Sequence, residues 1–345
     1  MRKKILTLTL STALLFAGSQ AWALNKDVIK QKGDGNQAVV MQQGNHNRAK
    51  IGQFGDYNKA QINQDDYRNR GHIKQVGKYN RAKIEQDGGY NSSGNYADIV
   101  QHGWENVGKI SQTSSYNDAY LSQYGSRNGA FIQQTSYYGN DDASIYQSGY
   151  RNRASIHQVG YYAGYNRAEI NQRGSYNKAK IWQNGYGNNA YGSPATINQY
   201  GRGNRASIEQ QGNFSKHAKI DQTGYYNKAT LRQVKAPHHS AIRHDADIVQ
   251  GNHNPYSAYN NAVVWQQGAH SMHTADVEQN GTYNTALVAQ TQNYVNDIST
   301  VVQNGNHNRA ISIQGHQPGY NEDWKGLMPL PLRPMVMAPR FNMMR

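Results

Sequence analysis

Residues 80–86 read Asn80-Arg81-Ala82-Lys83-Ile84-Glu85-Gln86, and the same spacing of Asn, Ala, an aliphatic residue and Gln returns at Asn47-Arg48-Ala49-Lys50-Ile51-Gly52-Gln53 and at Asn152-Arg153-Ala154-Ser155-Ile156-His157-Gln158. The four recurring residues stand at every second position, which is the period of a strand with one buried face. On a helix Ala82, Ile84 and Gln86 would scatter around the circumference, and the regularly returning Gly and Asn would break it. Seven residues of strand and four of turn make a unit of 11 residues.

Laid end to end from Asn25, the unit fits 24 times, and its last two first positions are Asp297 and Asn308. The Gln never fails, from Gln31 to Gln314. The central position is Ile, Val or Leu in 23 of 24 units, with Ser312 the exception, and the second position is Ala in 20. Such regularity marks a repeat architecture. Composition agrees, because 34 Gly and 26 Tyr against 5 Phe and 17% charged residues is not the make-up of an ordinary globular enzyme. A length of 345 residues alone would suggest two domains, but the repeat predicts one continuous array over residues 24–316.

Ahead of the array, Arg2, Lys3 and Lys4 precede an apolar stretch from Ile5 to Gly18 and small residues around Ala21-Trp22-Ala23. This pattern predicts a secretory signal peptide over residues 1–23; a membrane anchor needs about 18 or more apolar residues. The chain has no cysteine, so neither a disulfide nor a thiolate metal site is expected to stabilise it after export. Without Arg2, Lys3 and Lys4 the formal charge of +14 falls to about +11. After the array, residues 317–345 form a tail rich in Pro and Met, with Pro318, Pro329, Pro331, Pro334 and Pro339. Proline has no N–H to continue a ladder. The tail therefore either caps the array, stays disordered, or contacts a membrane or partner through Leu327, Met328 and Leu330.

Ordering 11 residues as a lone strand costs on the order of 10 kcal/mol, while burying one Ile returns about 2. Stacking is obligatory, and the expected fold is all-β: a β-solenoid with two units per coil and amyloid-like cross-β stacking, each unit bonded to the units two before and two after it. Twelve coils at about 4.8 Å would make a rod of roughly 58 Å. The residues expected to point inward include Asn36, Ala38, Val40 and Gln42; Asn47, Ala49, Ile51 and Gln53; Asn58, Ala60, Ile62 and Gln64; Asn80, Ala82, Ile84 and Gln86; Asn152, Ala154, Ile156 and Gln158; and Asn204, Ala206, Ile208 and Gln210. An inward amide without partners costs about 1 to 3 kcal/mol, and stacking lets each one donate to a neighbour on one side and accept from the other. Gly44, Gly55, Gly77, Gly88 and Gly103, two residues after Gln, suit corners with positive φ. Both ends of such a stack expose unpaired backbone beside an apolar strip. Soluble repeat proteins cap these ends with atypical polar units, whereas the first unit here departs only by Asp27 in the Ala position.

Units such as Asn47–Gly55 and Asn152–Gly160 resemble the repeats of curlins, the subunits of bacterial curli fibres, and the resemblance extends over residues 25–314. Their A-x-I-x-Q-x-G-x-x-N order is most similar to the minor, nucleating curlin. The resemblance implies a functional amyloid secreted through the periplasm and exported unfolded by an outer-membrane secretion channel with its accessory factors. At the cell surface it would polymerise with itself and with other curlin subunits into pilus-like fibres for biofilm matrix, adhesion and cell aggregation. Three features depart from the family pattern: the array is far longer than a handful of repeats, a leader between signal peptide and array is nearly absent, and no family role attaches to the tail.

The position after the leading Asn is often basic, as at Arg48, Lys59, Arg81, Arg153, Arg167, Lys178, Arg205 and Lys228. These outward cations read as gatekeepers against premature aggregation or as an adhesive row for acidic polysaccharide or extracellular DNA, and one row can serve both. Tyrosine commonly precedes the next Asn, at Tyr57, Tyr79, Tyr116, Tyr165, Tyr176, Tyr226 and Tyr283, where rings at successive corners can stack. His238, His239 and His244 fall in or just beyond the longest insertion, Val234 to Arg243, and read as a solvated loop in preference to a metal site. Further insertions at Asp87–Gly94, Asn184–Gly192 and Gly251–Tyr259 should bulge from corners without breaking the stack. No isolated, non-repeating group of acids and bases points to an enzyme, and no cofactor is expected. The serious rival to a fibre subunit is a monomeric cell-surface adhesin of the same fold, with capped ends and an affinity for acidic polysaccharide or DNA.

Overall fold

The computed structural model describes residues 25–88, 94–136, 140–160, 166–185, 194–212, 216–235, 243–251, 254–268, 272–291 and 296–315. Residues 1–23, read above as a signal peptide, and the Pro/Met-rich tail lie outside them. Alternation of apolar and polar residues becomes alternation of buried and exposed side chains. Along Lys59–Asp65, for example, Ala60, Ile62 and Gln64 are buried while Lys59 and Asp65 are exposed, as a strand with one covered face requires.

The described residues form 24 strands in two parallel sheets of 12. The odd sheet holds β1 (Lys26–Lys32), β3 (Arg48–Phe54), β5 (Arg70–Lys78), β7 (Tyr96–Trp104), β9 (Asp118–Ser126), β11 (Asp142–Tyr150), β13 (Arg167–Ser175), β15 (Pro194–Arg202), β17 (Lys216–Tyr225), β19 (Arg243–Gln250), β21 (Met272–Asn280) and β23 (Asp297–Asn304). The even sheet holds β2 (Gln37–Gln42), β4 (Lys59–Asp65), β6 (Arg81–Asp87), β8 (Val107–Thr113), β10 (Gly129–Ser136), β12 (Arg153–Gly160), β14 (Lys178–Gly185), β16 (Arg205–Gln211), β18 (Lys228–Lys235), β20 (Asn261–Gly268), β22 (Thr285–Gln290) and β24 (Arg309–Gln314). Each strand pairs with the strands two before and two after it, so the chain winds as a β-solenoid with one strand of each sheet per coil. Pairing is in register: Ile132, Ile156, Ile181 and Ile208 are consecutive partners, and so are Ala130, Ala154, Ala179 and Ala206. Between the sheets lies one continuous core of such Ala and aliphatic residues, from Ile29 to Val301.

The two corners of a coil are not equivalent. At the corner leading from odd to even strands, Gly55, Gly77 and Gly103 take φ of +109°, +115° and +116°, and each lies directly below the next glycine of the column. A Cβ on Gly103 would sit 2.0 Å from the Gly125 carbonyl oxygen, so the close stacking of coils as well as the backbone conformation excludes a side chain there. At the other corner Gly44 also has positive φ (+81°), but Gly88 does not. The expectation for Gly88 is thus corrected: the connection it opens carries extra residues, and a longer path to the next strand does not need the left-handed step. The inserted stretches after β6, β14 and β18 all lie at this even-to-odd corner, and Gly251–Tyr259, after β19, is at the tight one.

Substituting Gly103→Ala should lower stability by more than about 2 kcal/mol, through strain at positive φ and displacement of the next coil. Gly129→Ala, at an ordinary φ with nothing within 4 Å of the added Cβ, should change it little. Chemical-denaturation midpoints of the two variants check the contrast.

Candidate functional site

Two unbroken columns of glutamine run the length of the solenoid. On the odd sheet Gln31 Nε2 donates to Gln53 Oε1 (2.6 Å), Gln53 to Gln75 (2.9 Å), and so on until Gln279 donates to Gln303 (2.7 Å). On the even sheet the chain runs from Gln42 to Gln64 (2.8 Å) through Gln158 to Gln183 (2.9 Å) and ends at Gln290 to Gln314 (2.9 Å). Every bond of both columns points the same way, toward the C-terminal coil. The second hydrogen of the amide crosses the core: Gln53 Nε2 reaches the Gln37 carbonyl (3.0 Å), Gln64 the Arg48 carbonyl (3.1 Å) and Gln86 the Arg70 carbonyl (3.0 Å). One residue type thereby fixes both the stacking of coils and the spacing of sheets, and it meets the buried-amide requirement in full.

The asparagines do the corresponding work at the corners. Asn80 Oδ1 accepts the backbone N–H of Asn106 (3.0 Å) and Asn80 Nδ2 donates to the Gly103 carbonyl (2.9 Å). Asn152 and Asn204 reach the carbonyls of Gly174 and Gly224 in the same way, at 2.9 and 3.0 Å, and Asn58 that of Gly77 at 2.8 Å. Asn47, Asn58, Asn80, Asn152 and Asn204 are buried, as are Ala49, Ala60, Ala82, Ala154 and Ala206, Ile51, Ile62, Ile84, Ile156 and Ile208, and Gln53, Gln64, Gln86, Gln158 and Gln210. Asn36, Ala38, Val40 and Gln42, in the first coil, are only half-buried, because β2 has a neighbour on one side alone. Arg48, Lys59, Arg81, Arg153, Arg167, Lys178, Arg205 and Lys228 are all exposed on the outer faces.

Two features were not legible as sites in the sequence. The residue preceding each even-sheet Asn is left-handed even where it is bulky: Tyr57, Tyr79, Arg127, Arg151, Tyr176, Tyr226, Tyr259 and Tyr283 all have φ between 53° and 60°. Non-glycine residues resist this conformation by roughly 1 kcal/mol or more each. Contacts between coils offset that: rings stack at 5.2 Å (Tyr57–Tyr79), 5.4 Å (Tyr226–Tyr259) and 5.0 Å (Tyr259–Tyr283), and the Arg127 guanidinium lies 4.6 Å over Trp104 while its Nε bonds Glu105 at 2.7 Å. Tyr116 belongs to the opposite corner, and Tyr165 lies outside the described residues.

The second feature is an ionisable column. On the even sheet Asn leads every unit, but on the odd sheet Asp141, Lys216, His244, His273 and Asp297 take its place, and all five are buried. Asp141 accepts the N–H and Nδ2 of Asn166 (3.1 and 2.9 Å) and the Ser136 hydroxyl. Even so, burial pushes its pKa up to about 6. The His244 and His273 rings lie 4.9 Å apart, and His273 Nδ1 is 3.3 Å from Asp297 Oδ2. Burial, the neighbouring His273 and Lys216 push His244 down to about 2, and neither of its ring nitrogens has a hydrogen-bond partner among the described residues. The reading of His244 as part of a solvated loop is therefore overturned: the insertion ends before it, and His244 is the inward first residue of its unit. His238 and His239 lie outside the described residues.

Opposite pH dependences follow. Asp141 binds its proton more tightly folded than unfolded, so its contribution weakens the fold as pH rises from about 4 to above 6. Asp141→Asn should stabilise the protein at pH 7, by up to about 3 kcal/mol, and change little near pH 3.5. His244 binds its proton less tightly folded, so stability should be lost as pH falls below 6.5, and His244→Asn should remove that loss. Urea midpoints across this range, with amide hydrogen exchange of β19 and β21, measure both.

Comparison with known proteins gives three matches to the family described as Curlin associated repeat, over residues 28–55, 93–125 and 181–212. No curated protein matches the chain. The matched stretches are β1–β3, β7–β9 and β14–β16 with the corners between them, and all three carry the inward Ala, Ile and Gln columns. The chain is a parallel β-solenoid, three stretches of which match the curlin-associated repeat.

Proposed function

We propose that this chain is a curlin-family fibre subunit that polymerises end to end outside the cell. The observation that carries the reading is the chemical complementarity of its two ends. Among the described residues, Gln31 and Gln42 at one end present amide oxygens with no preceding coil to donate to them, and at the other end Gln303 and Gln314 use one N–H across the core (3.1 and 2.7 Å) with the ladder N–H left over. A second copy stacked with β1 on β23 and β2 on β24 would extend both glutamine columns, both backbone ladders and the core without a change of register. Burying edge strands in this way removes the exposed pairing groups that a single solenoid leaves at each end.

Export through the periplasm by the 1–23 signal peptide, passage through an outer-membrane curli channel, incorporation into biofilm fibres beside other curlin subunits, and nucleation by a 24-strand template belong to the same proposal. The exposed basic rows fit adhesion to acidic polysaccharide or extracellular DNA. One observation favours the rival adhesin: in the last coil Ser299 donates to Ser312 at 2.8 Å, so that coil is more polar than those before it, as a capping unit would be.

Residues 24–345, diluted from denaturant, should give a thioflavin fluorescence rise and fibres with a meridional reflection near about 4.7 to 4.8 Å. A stable, soluble, β-rich monomer would overturn the fibre reading in favour of the adhesin. Gln42→Ala and Ile51→Ala should lengthen the lag of polymerisation more than Arg48→Ala or Lys50→Ala, since the first pair removes inward contacts of about 1 to 5 kcal/mol and the second only exposed charge.

A further inference from the structure

The outer face of the even sheet is basic from β12 to β18, while that of the odd sheet is on balance acidic from β7 to β21. On the even sheet Arg153, Lys178, Arg205 and Lys228 are consecutive strand partners, all exposed, so four cations stand in a straight column one strand spacing apart. Among the described residues none of the four holds an ion pair, whereas elsewhere on this sheet Lys109 lies 2.6 Å from Glu85 and Arg232 lies 3.3 Å from Glu209. The column borders a shallow groove of about 290 Å³, floored by the small side chains of Ser155, Ser207 and Thr230, with Lys180 at its side.

From β7 to β21 the acids of the odd sheet's outer face, among them Asp98, Asp118, Asp142, Asp221, Asp247 and Asp276, outnumber its cations Arg167, Arg173 and Lys219. Here too like charges are stacked: Asp118 pairs in register with Asp142, and Asp247 with Asp276. Burial, and then the charge of Asp142, hold the Asp118 carboxyl above the usual carboxylate range. The basic column repels itself along the rod and has no counter-charge among the described residues, whereas the acidic face is partly compensated, with Arg167 3.9 Å from Asp142 and Lys219 2.7 Å from Asp221.

We propose that the basic column of the even sheet is a docking face for a second copy of this chain, which lays the acidic columns of its odd sheet over it, so that solenoids associate side by side. The chain itself supplies the matching surface. Both faces are ruled at the same strand spacing of about 4.8 Å, so two consecutive cations can meet the in-register pair Asp118 and Asp142, or the pair Asp247 and Asp276, at one time. Duplex DNA, with one phosphate per about 3.4 Å of each winding strand, has no such match to a straight column. The contact is heterologous, with a different face of each partner, and therefore propagates into a sheet of rods. The first three odd strands carry Lys26, Arg48 and Arg70 on the same outer column as Asp118, and these set a like charge against Lys59 and Arg81 in a level pair, which favours stagger. Docking through the faces does not depend on end-to-end growth.

The test uses two charge-reversed chains, Arg153→Glu/Lys178→Glu/Arg205→Glu/Lys228→Glu and Asp118→Lys/Asp142→Lys/Asp247→Lys/Asp276→Lys, with the corresponding Gln and Asn sets as controls for folding. Expected is an unchanged thioflavin amplitude and cross-β reflection, with loss of bundling by electron microscopy in either chain alone and its return when the two are mixed. Wild-type bundles should separate near 1 M salt, where screening acts within about 3 Å. If no chain forms fibres, the end-to-end reading fails, and sedimentation velocity of the soluble solenoids reads the side-by-side contact on its own, through association of the two variants with each other. Bundling by either variant alone at the wild-type level, or no return on mixing, would overturn the proposal. So would nuclease-treated wild-type fibres that stay single until an oligonucleotide is added, which would make the column a nucleic-acid site.

Discussion

A primary amide can enter an apolar core only if both of its hydrogens and its oxygen find partners, and the rest of this solenoid follows from how glutamine meets that condition. The along-rod bond demands another glutamine at the same height in the next coil, so it fixes a parallel, in-register stack. The cross-core bond demands a carbonyl on the facing strand, so it fixes the separation of the sheets. A slip of one residue would turn the whole inward set outward and leave every amide unpaired. Neighbouring bonds in such a chain polarise one another in the same sense, so uniform direction strengthens the column.

Backbone strain is distributed to suit this stack. Each coil must reverse direction within a few residues, and it does so by placing one glycine and one bulky residue in the left-handed region at the tight corner. In a single coil a left-handed tyrosine would be an isolated penalty. Repeated at one height after another, it lines up rings and guanidinium groups about 5 Å apart, and the contacts between coils hold the conformation. The corners are thus stabilised by the same repetition that strains them.

Strand period, inward residues and two-unit coils were legible because a period of two is a local property and 24 copies leave little room for accident. What escaped has non-local causes. Odd and even units share one consensus, so nothing in Asn80-Arg81-Ala82 tells that its corner is tight while that before Ala97 is open; only closure of the coil separates them. Gly88 looks like Gly77 in sequence, and the difference lies in the length of the connection that follows. His244 sits beside a long insertion that hides the phase of the repeat, which is restored only by Ala246, Ile248 and Gln250. The basic row followed from the two-unit coil, but the acidic face needed strand order before Asp118 and Asp142, 24 apart in sequence, became neighbours.

The inequality of the corners gives the rod two unlike edges, one a repeating seam interrupted after β19 and the other a margin where extra sequence has been admitted again and again. Because each coil rises by one strand spacing, anything inserted on that margin is held at a height fixed by its place in the chain. The molecule is in this sense a graduated ruler: segments placed between β6 and β7 and between β14 and β15 are four coils apart, or about 19 Å along the axis, whatever their own sequences are.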